Sequence, residues 1–172
     1  MLFQANLFAQ GTVAKLDQKN GFKDAKLEAN IATFSHLVEE SCGVEEEPYF
    51  KCYTRTTDVL TVGTAALARI QYAFYKSTLG IITVTVKGRD NIIGFGQALE
   101  AAYGKGRRPY EGSDYVEWTG ERVTMNVTVK TDDAKAEPVL TLVIMSKTLK
   151  VRSKSDRGED KKAALQKAIN DL

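Results

Sequence analysis

Polar and apolar residues alternate along two neighbouring runs, "ARIQYAFY" and "IITVTVK". In the first, Ala68, Ile70, Tyr72 and Phe74 share one side, against Gln71, Ala73 and Tyr75. In the second, Ile82, Val84 and Val86 share a side, against Thr83, Thr85 and Lys87. Each run thus has one apolar face built from even-numbered residues. Antiparallel pairing unites those faces only across a loop with an odd number of residues, 76–78 or 76–80; a two-residue turn flips the pattern. Tyr72 and Phe74 are therefore expected in the core, with Tyr75 on the opposite side.

The remaining pattern fills in the other elements. "FKDAKLEA" follows the turn signal Asn20-Gly21 and reads as a short strand. "NIATFSHLVEE" spaces Ile31, Phe34, Leu37 and Val38 as a short helix, with Asn30 as its N-cap. "YFKCYTR" alternates as a strand. "RDNIIGFGQALEAAYGKG" is the clearest helix: Ile92, Phe95, Leu99 and Ala102 lie on one side, and Gly104 stands at the left-handed terminal position. Asp90 or Asn91 is available to cap its start. Gly94 and Gly96 weaken its first turns by up to ~1 kcal/mol each, unless close packing against a sheet favours them.

Three further runs, "DYVEWTG", "ERVTMNVTVK" and "PVLTLVIMSK", read as a meander turned by "TGE" and "TDDAKAE". The last is apolar on both faces, as suits a central or helix-covered strand. The tail begins polar and basic, then gains a narrow stripe of Leu165, Ala168, Ile169 and Leu172, expected to dock on its own domain or fray. The expected fold class is α+β: a mostly antiparallel sheet of about six to seven strands, one long helix packed across it, and a C-terminal helix. Residues 1–20 read as a tail or signal-peptide remnant, 21–150 as a single domain, and 151–172 as a basic linker and helix.

Length and composition suit one soluble domain: 172 residues, 43% apolar and 27% charged. No apolar run approaches the roughly 20 residues that span a bilayer. The net charge of +2 conceals an asymmetry, because residues 147–172 hold eight Lys/Arg against four Asp/Glu. The body is near neutral, so a strongly nucleic-acid-binding domain is not indicated. "MLFQANLFAQ" resembles the end of a secretory signal cleaved near Ala9 or Gln10, but lacks a basic start. A late-start signal remnant is the leading reading, beside a cloning remnant or a flexible end. Export would permit Cys42 and Cys52 to pair; two independent half-buried thiols are the alternative.

No catalytic, cofactor or metal constellation emerges. The single histidine, His36, has no nucleophile motif beside it, and Glu40 at i+4 gives only two ligands from one turn. Glu39, Glu40, Glu45, Glu46 and Glu47 lack the alternating oxygens and fixed glycine of a calcium loop. "GFGQAL" and "GKGRRP" fail as dinucleotide and phosphate loops. Asn126-Val127-Thr128 matches a glycosylation triplet but falls inside a strand.

One group keeps a ligand reading: Lys105, Arg107, Arg108, Tyr110 and Tyr115, with Tyr103, around the end of the long helix. Guanidinium groups and tyrosine rings can hold an anion or stack on a base. Surface cations near a helix C-terminus are the plain alternative. Lys147, Lys150, Arg152, Lys154 and Arg157 in the tail read first as a solvated linker.

"NGFKDAKLEA", "YTRTTDVLTVGTAALARIQYAFYKSTLGIITVTVKG", "ALEAAYGKG" and "YVEWTGERVTMNVTV" together resemble a loosely defined group of exported bacterial domains of unknown function. The resemblance covers residues 21 to 146; Ala73 departs from a glycine expected there. It implies export and transfers no activity. The function expected is an exported accessory domain that binds a protein or cell-envelope component through an exposed sheet face or the 104–115 loop. Its rivals are a hydrolase using Asp114 and Glu117, and weak anion or single-strand nucleic-acid binding at the loop.

Overall fold

The computed structural model describes residues 14–42, 49–131 and 136–170. The readings placed on Ala9, Gln10, Glu45, Glu46, Glu47 and Leu172 lie outside the described residues, as does most of the "TDDAKAE" turn. A first helical segment, α1, covers 14–19 and buries Leu16. The expected single strand after Asn20 is instead a tight hairpin of β1 (Gly21–Phe22) and β2 (Ala25–Lys26). There follow β3 (Leu37–Glu40), β4 (Phe50–Arg55) and a small ribbon of β5 (Thr61–Val62) with β6 (Ala65–Ala66). β7 (Arg69–Tyr75), β8 (Thr78–Lys87), α2 (Arg89–Tyr103), β9 (Tyr115–Thr119), β10 (Val123–Lys130), β11 (Val139–Ser146) and α3 (Lys147–Asn170) complete the chain. Seven strands make one antiparallel sheet in the order β3-β4-β7-β8-β11-β10-β9. The fold is α+β.

The helix expected over "NIATFSHLVEE" does not form. Asn30 does cap, its side chain accepting from the Ala32 N–H at 2.9 Å, but only a 3₁₀ turn at Ile31–Thr33 follows. Leu37–Glu40 pairs with β4 instead, where its backbone completes the sheet edge. Four apolar residues at helical spacing were too few to outweigh that ladder.

β7 and β8 confirm the shared apolar face by an unexpected route. Their turn has two residues, Lys76 and Ser77, both at positive φ, as a tight twisted hairpin demands. Such a turn alone would reverse the faces. The register instead slips once: Ala73 opposes Ile81 while Phe74 opposes Leu79, leaving Gly80 as a bulge. A Cβ on Gly80 would stand 3.0 Å from the Phe50 ring, so the bulge is also a close approach. With the slip, Tyr72, Ile82, Ile144, Met125 and Trp118 line up across five strands on one face. Tyr72, Ile82, Ile144 and Met125 are no more than 2% exposed.

That face is covered by α2, which packs on β6 and β8 and buries Phe95 and Leu99. Each such side chain contributes about 2–3 kcal/mol on burial. Gly88 stands at the N-cap, and Asn91 caps no N–H of its own helix but accepts from Ala66 N and donates to Lys87 O. Ala102, expected inward, is exposed, and Tyr103 takes the inward place. The Asp17 carboxylate of α1 accepts three successive backbone N–H groups, from Glu121, Arg122 and Val123, at 2.6–3.0 Å, fixing α1 to the β9–β10 turn.

The opposite face carries a smaller cluster of Phe50, Cys52, Ala73, Tyr75 and Leu149 under the first turns of α3. Tyr75 is thus buried rather than offered to a ligand. The expected basic linker from 151 is absent, because α3 runs unbroken from β11. Asp156 holds the Tyr75 hydroxyl and Lys76 ammonium, and Asp160 holds the Tyr49 hydroxyl. Beyond these anchors the helix leaves the sheet, and Leu165 and Ile169 are exposed rather than docked. Cys42 and Cys52 form a disulfide with Cα atoms 5.1 Å apart, tying the end of β3 to β4.

Candidate functional site

α2 rests on β6 and β8, so its later turns overhang β11, β10 and β9 and leave a cleft of about 730 Å³ beneath them. Val127, Val129 and Leu140 form its floor, with Val116 and Trp118 toward the β9 edge. Ile92, Gly96 and Leu99 form the helical wall. Glu100, Lys105, Arg108 and Asp114 bring charge to the rim. The volume lies in the range of small-molecule sites, and the apolar lining with few polar groups is their usual make-up.

Two local arrangements hold the cleft open. Gly96 faces it with no atom within 4 Å of where a Cβ would stand. The close packing anticipated for both helical glycines applies to Gly94 alone, beside Thr64 and Ala65. At the far end, Trp118 Nε1 donates to the Gly104 carbonyl at 3.0 Å, and Gly106 lies so close to Val116 and Trp118 that no side chain fits there. The loop after α2 is thereby clamped across the cleft mouth, and Arg108 donates to the Ser113 carbonyl within it.

The five cationic and tyrosine residues singled out at 105–115 are divided by the sheet. Lys105 and Arg108 line the cleft. Arg107 and Tyr115 belong to the opposite face, where both bind Glu117: Arg107 Nε at 2.8 Å and the Tyr115 hydroxyl at 3.1 Å. The Arg107 guanidinium holds the Glu117 carboxyl below its usual range, while burial first, and then Glu117, raises the Tyr115 phenol. Tyr110 extends from the loop, 70% exposed. Tyr103 packs against the core, and burial raises its phenol.

Asp114 and Glu117 share no cavity. Asp114 borders the cleft and Glu117 pairs with Arg107 behind it, so the strand's alternation parts this acid pair. Among the described residues no three His, Cys, Asp or Glu side chains gather as a metal-ligand set. His36 is exposed, in a left-handed conformation at φ 58°.

A polar network absent from the sequence reading lies near β4. Asp58, with only 3% of its side chain exposed, accepts from Arg55 Nε at 2.7 Å and from the Tyr72 hydroxyl at 2.9 Å. Arg55 also grips Asp24 with both terminal nitrogens, at 2.8 and 2.7 Å. That fork pulls the Asp24 carboxyl down, and burial pushes the Tyr72 phenol up. Every partner in the network is engaged, so its role is to fasten the 56–67 segment and the β1–β2 hairpin to the sheet.

The cleft residues missed in sequence carried two faint signals: the protein's only tryptophan, on the inward face of β9, and a glycine inside a strongly periodic helix. Comparison with known proteins finds no matching family model, curated protein or solved structure. No helix among the described residues is long and apolar enough to cross a membrane.

Proposed function

We propose that this chain is a non-catalytic binding domain whose cleft beneath α2 takes an amphipathic small molecule. The apolar body lies on Val127, Val129, Leu140 and Trp118, and an anionic head meets Lys105 and Arg108. The observation that carries this reading is Gly96: a helical glycine costs about 1 kcal/mol relative to alanine, yet here no neighbour requires the missing side chain. What its absence preserves is the cleft. The Cys42–Cys52 bond supports an oxidising compartment, and with it the exported setting inferred from the N-terminal sequence.

Trp118 is the sole tryptophan and lines the cleft, so its emission reports occupancy directly. Titration with a medium-chain fatty acid is expected to give a saturable change in Trp118 fluorescence. Gly96→Leu, whose Cβ meets no atom within 4 Å and whose side chain enters the cleft, abolishes that change while unfolding stays cooperative. Lys105→Glu weakens binding several-fold. A wild-type protein with no saturable response, or a Gly96→Leu variant that binds as well as wild type, overturns the proposal.

A further inference from the structure

The sheet face behind the cleft is polar, cationic and largely open among the described residues. Its cross-strand rows are continuous: Thr85, Thr141, Thr128 and Tyr115 form one, and Gln71, Thr83, Val143, Asn126 and Glu117 the next. With neighbouring strands ~4.8 Å apart, the first row presents a hydroxyl on each strand, and the second sets Thr83 and Asn126 on either side of Val143. Arg69, Lys87, Arg107 and Lys130 project from the same side of their strands.

α3 adds a cationic border. Lys150, Lys154 and Arg157, at i, i+4 and i+7, line a cavity of about 100 Å³ with Ile81 and Met145 of this face. Asp156 and Asp160 are turned to the other flank, toward Tyr75 and Tyr49. Among the described residues of these strands and this border, Arg69 and Arg107 pair with Glu40 and Glu117, and Lys87, Lys130, Lys150 and Lys154 supply the excess positive charge. The whole chain carries only +2, so this face is set apart electrostatically from an acidic remainder.

We infer that this face binds an anionic polysaccharide, a uronate-bearing chain laid across β8, β11, β10 and β9. The cations meet its carboxylates, and the threonine and asparagine side chains exchange hydrogen bonds with its hydroxyls. Tyr115 is the one aromatic ring on this face of β8, β11, β10 and β9, which disfavours single-stranded nucleic acid, whose binding depends on stacking.

Affinity electrophoresis against alginate tests the inference, with dextran, oligothymidylate and polyglutamate as comparators. Alginate retards the protein in a salt-sensitive manner, and dextran does not. Lys87→Glu with Lys130→Glu, and separately Lys150→Glu with Lys154→Glu, each weaken alginate binding about tenfold, or ~1.4 kcal/mol. Thr85→Val, Thr141→Val and Thr128→Val together weaken it several-fold with every charge retained. Gly96→Leu leaves it intact, which separates this face from the cleft. Circular dichroism confirms that the variants are folded. Absent retardation, retardation unchanged in the variants, or equal retardation by oligothymidylate or polyglutamate overturns the assignment.

Discussion

Alanine at Gly96 and at Gly106 is expected to change stability in opposite directions, and the difference follows from the space around each glycine. At Gly96 the new methyl meets nothing within 4 Å, so no clash opposes it. The backbone there is helical, and the exchange gains roughly 0.5–1 kcal/mol through a less costly loss of chain freedom on folding. For a chain of this length that raises the melting temperature by about 1–4 °C. At Gly106 the methyl would lie 2.3 Å from Val116 Cγ1 and 2.8 Å from Trp118 Cε2. Trp118 must then move, straining its hydrogen bond to Gly104, and overpacking of this kind costs about 1–3 kcal/mol. Urea and thermal unfolding, followed by far-UV circular dichroism and Trp118 emission, measure both changes. A destabilised Gly96→Ala would refute the vacancy beneath α2, and an unaffected Gly106→Ala would refute the clamp at its mouth.

Two further outcomes concern the frame around the site. Replacing Cys42 and Cys52 with serine lengthens the free loop of the unfolded chain and lowers stability by roughly 2–3 kcal/mol; denaturant midpoints read the loss, and alkylation mass spectrometry with and without reductant verifies the bond. The Asp24 carboxyl is held low by Arg55, so the folded state favours its ionised form. Its contribution is complete above the ordinary aspartate value of about 4 and fades as pH falls through the lower folded value. Asp24→Asn therefore flattens the acid limb of the stability curve below about pH 4; an unchanged slope in urea midpoints across pH would remove Asp24 from the account.

Much of the architecture was legible because strand alternation is a strong local signal. The even-numbered residues of β7 and β8, the apolar run of β11 and the Phe95–Leu99 stripe each indicated their own burial. Register was less so: a glycine bulge opposite the β7 strand restored the faces that a two-residue turn would have reversed, and nothing at Gly80 announces which strand it will face. The 30–40 segment misled because a single capped turn and four spaced apolar residues resemble a helix until the β4 edge is present. Lys105 and Arg108 were identifiable as ligand candidates from their charge, whereas their separation from Arg107 and Tyr115 depends on which face each position takes. The cleft itself is a gap between elements, and its walls come from α2, three strands and a loop that sequence proximity does not unite.

The seat of Asp17 lies more than a hundred residues downstream, so the chain cannot close by growing outward from its beginning. During synthesis the first helical segment emerges long before the turn that receives it exists. Residues 14–19 therefore reach their seat only after the β9–β10 turn has formed, because until then Asp17 lacks the three N–H groups that hold it.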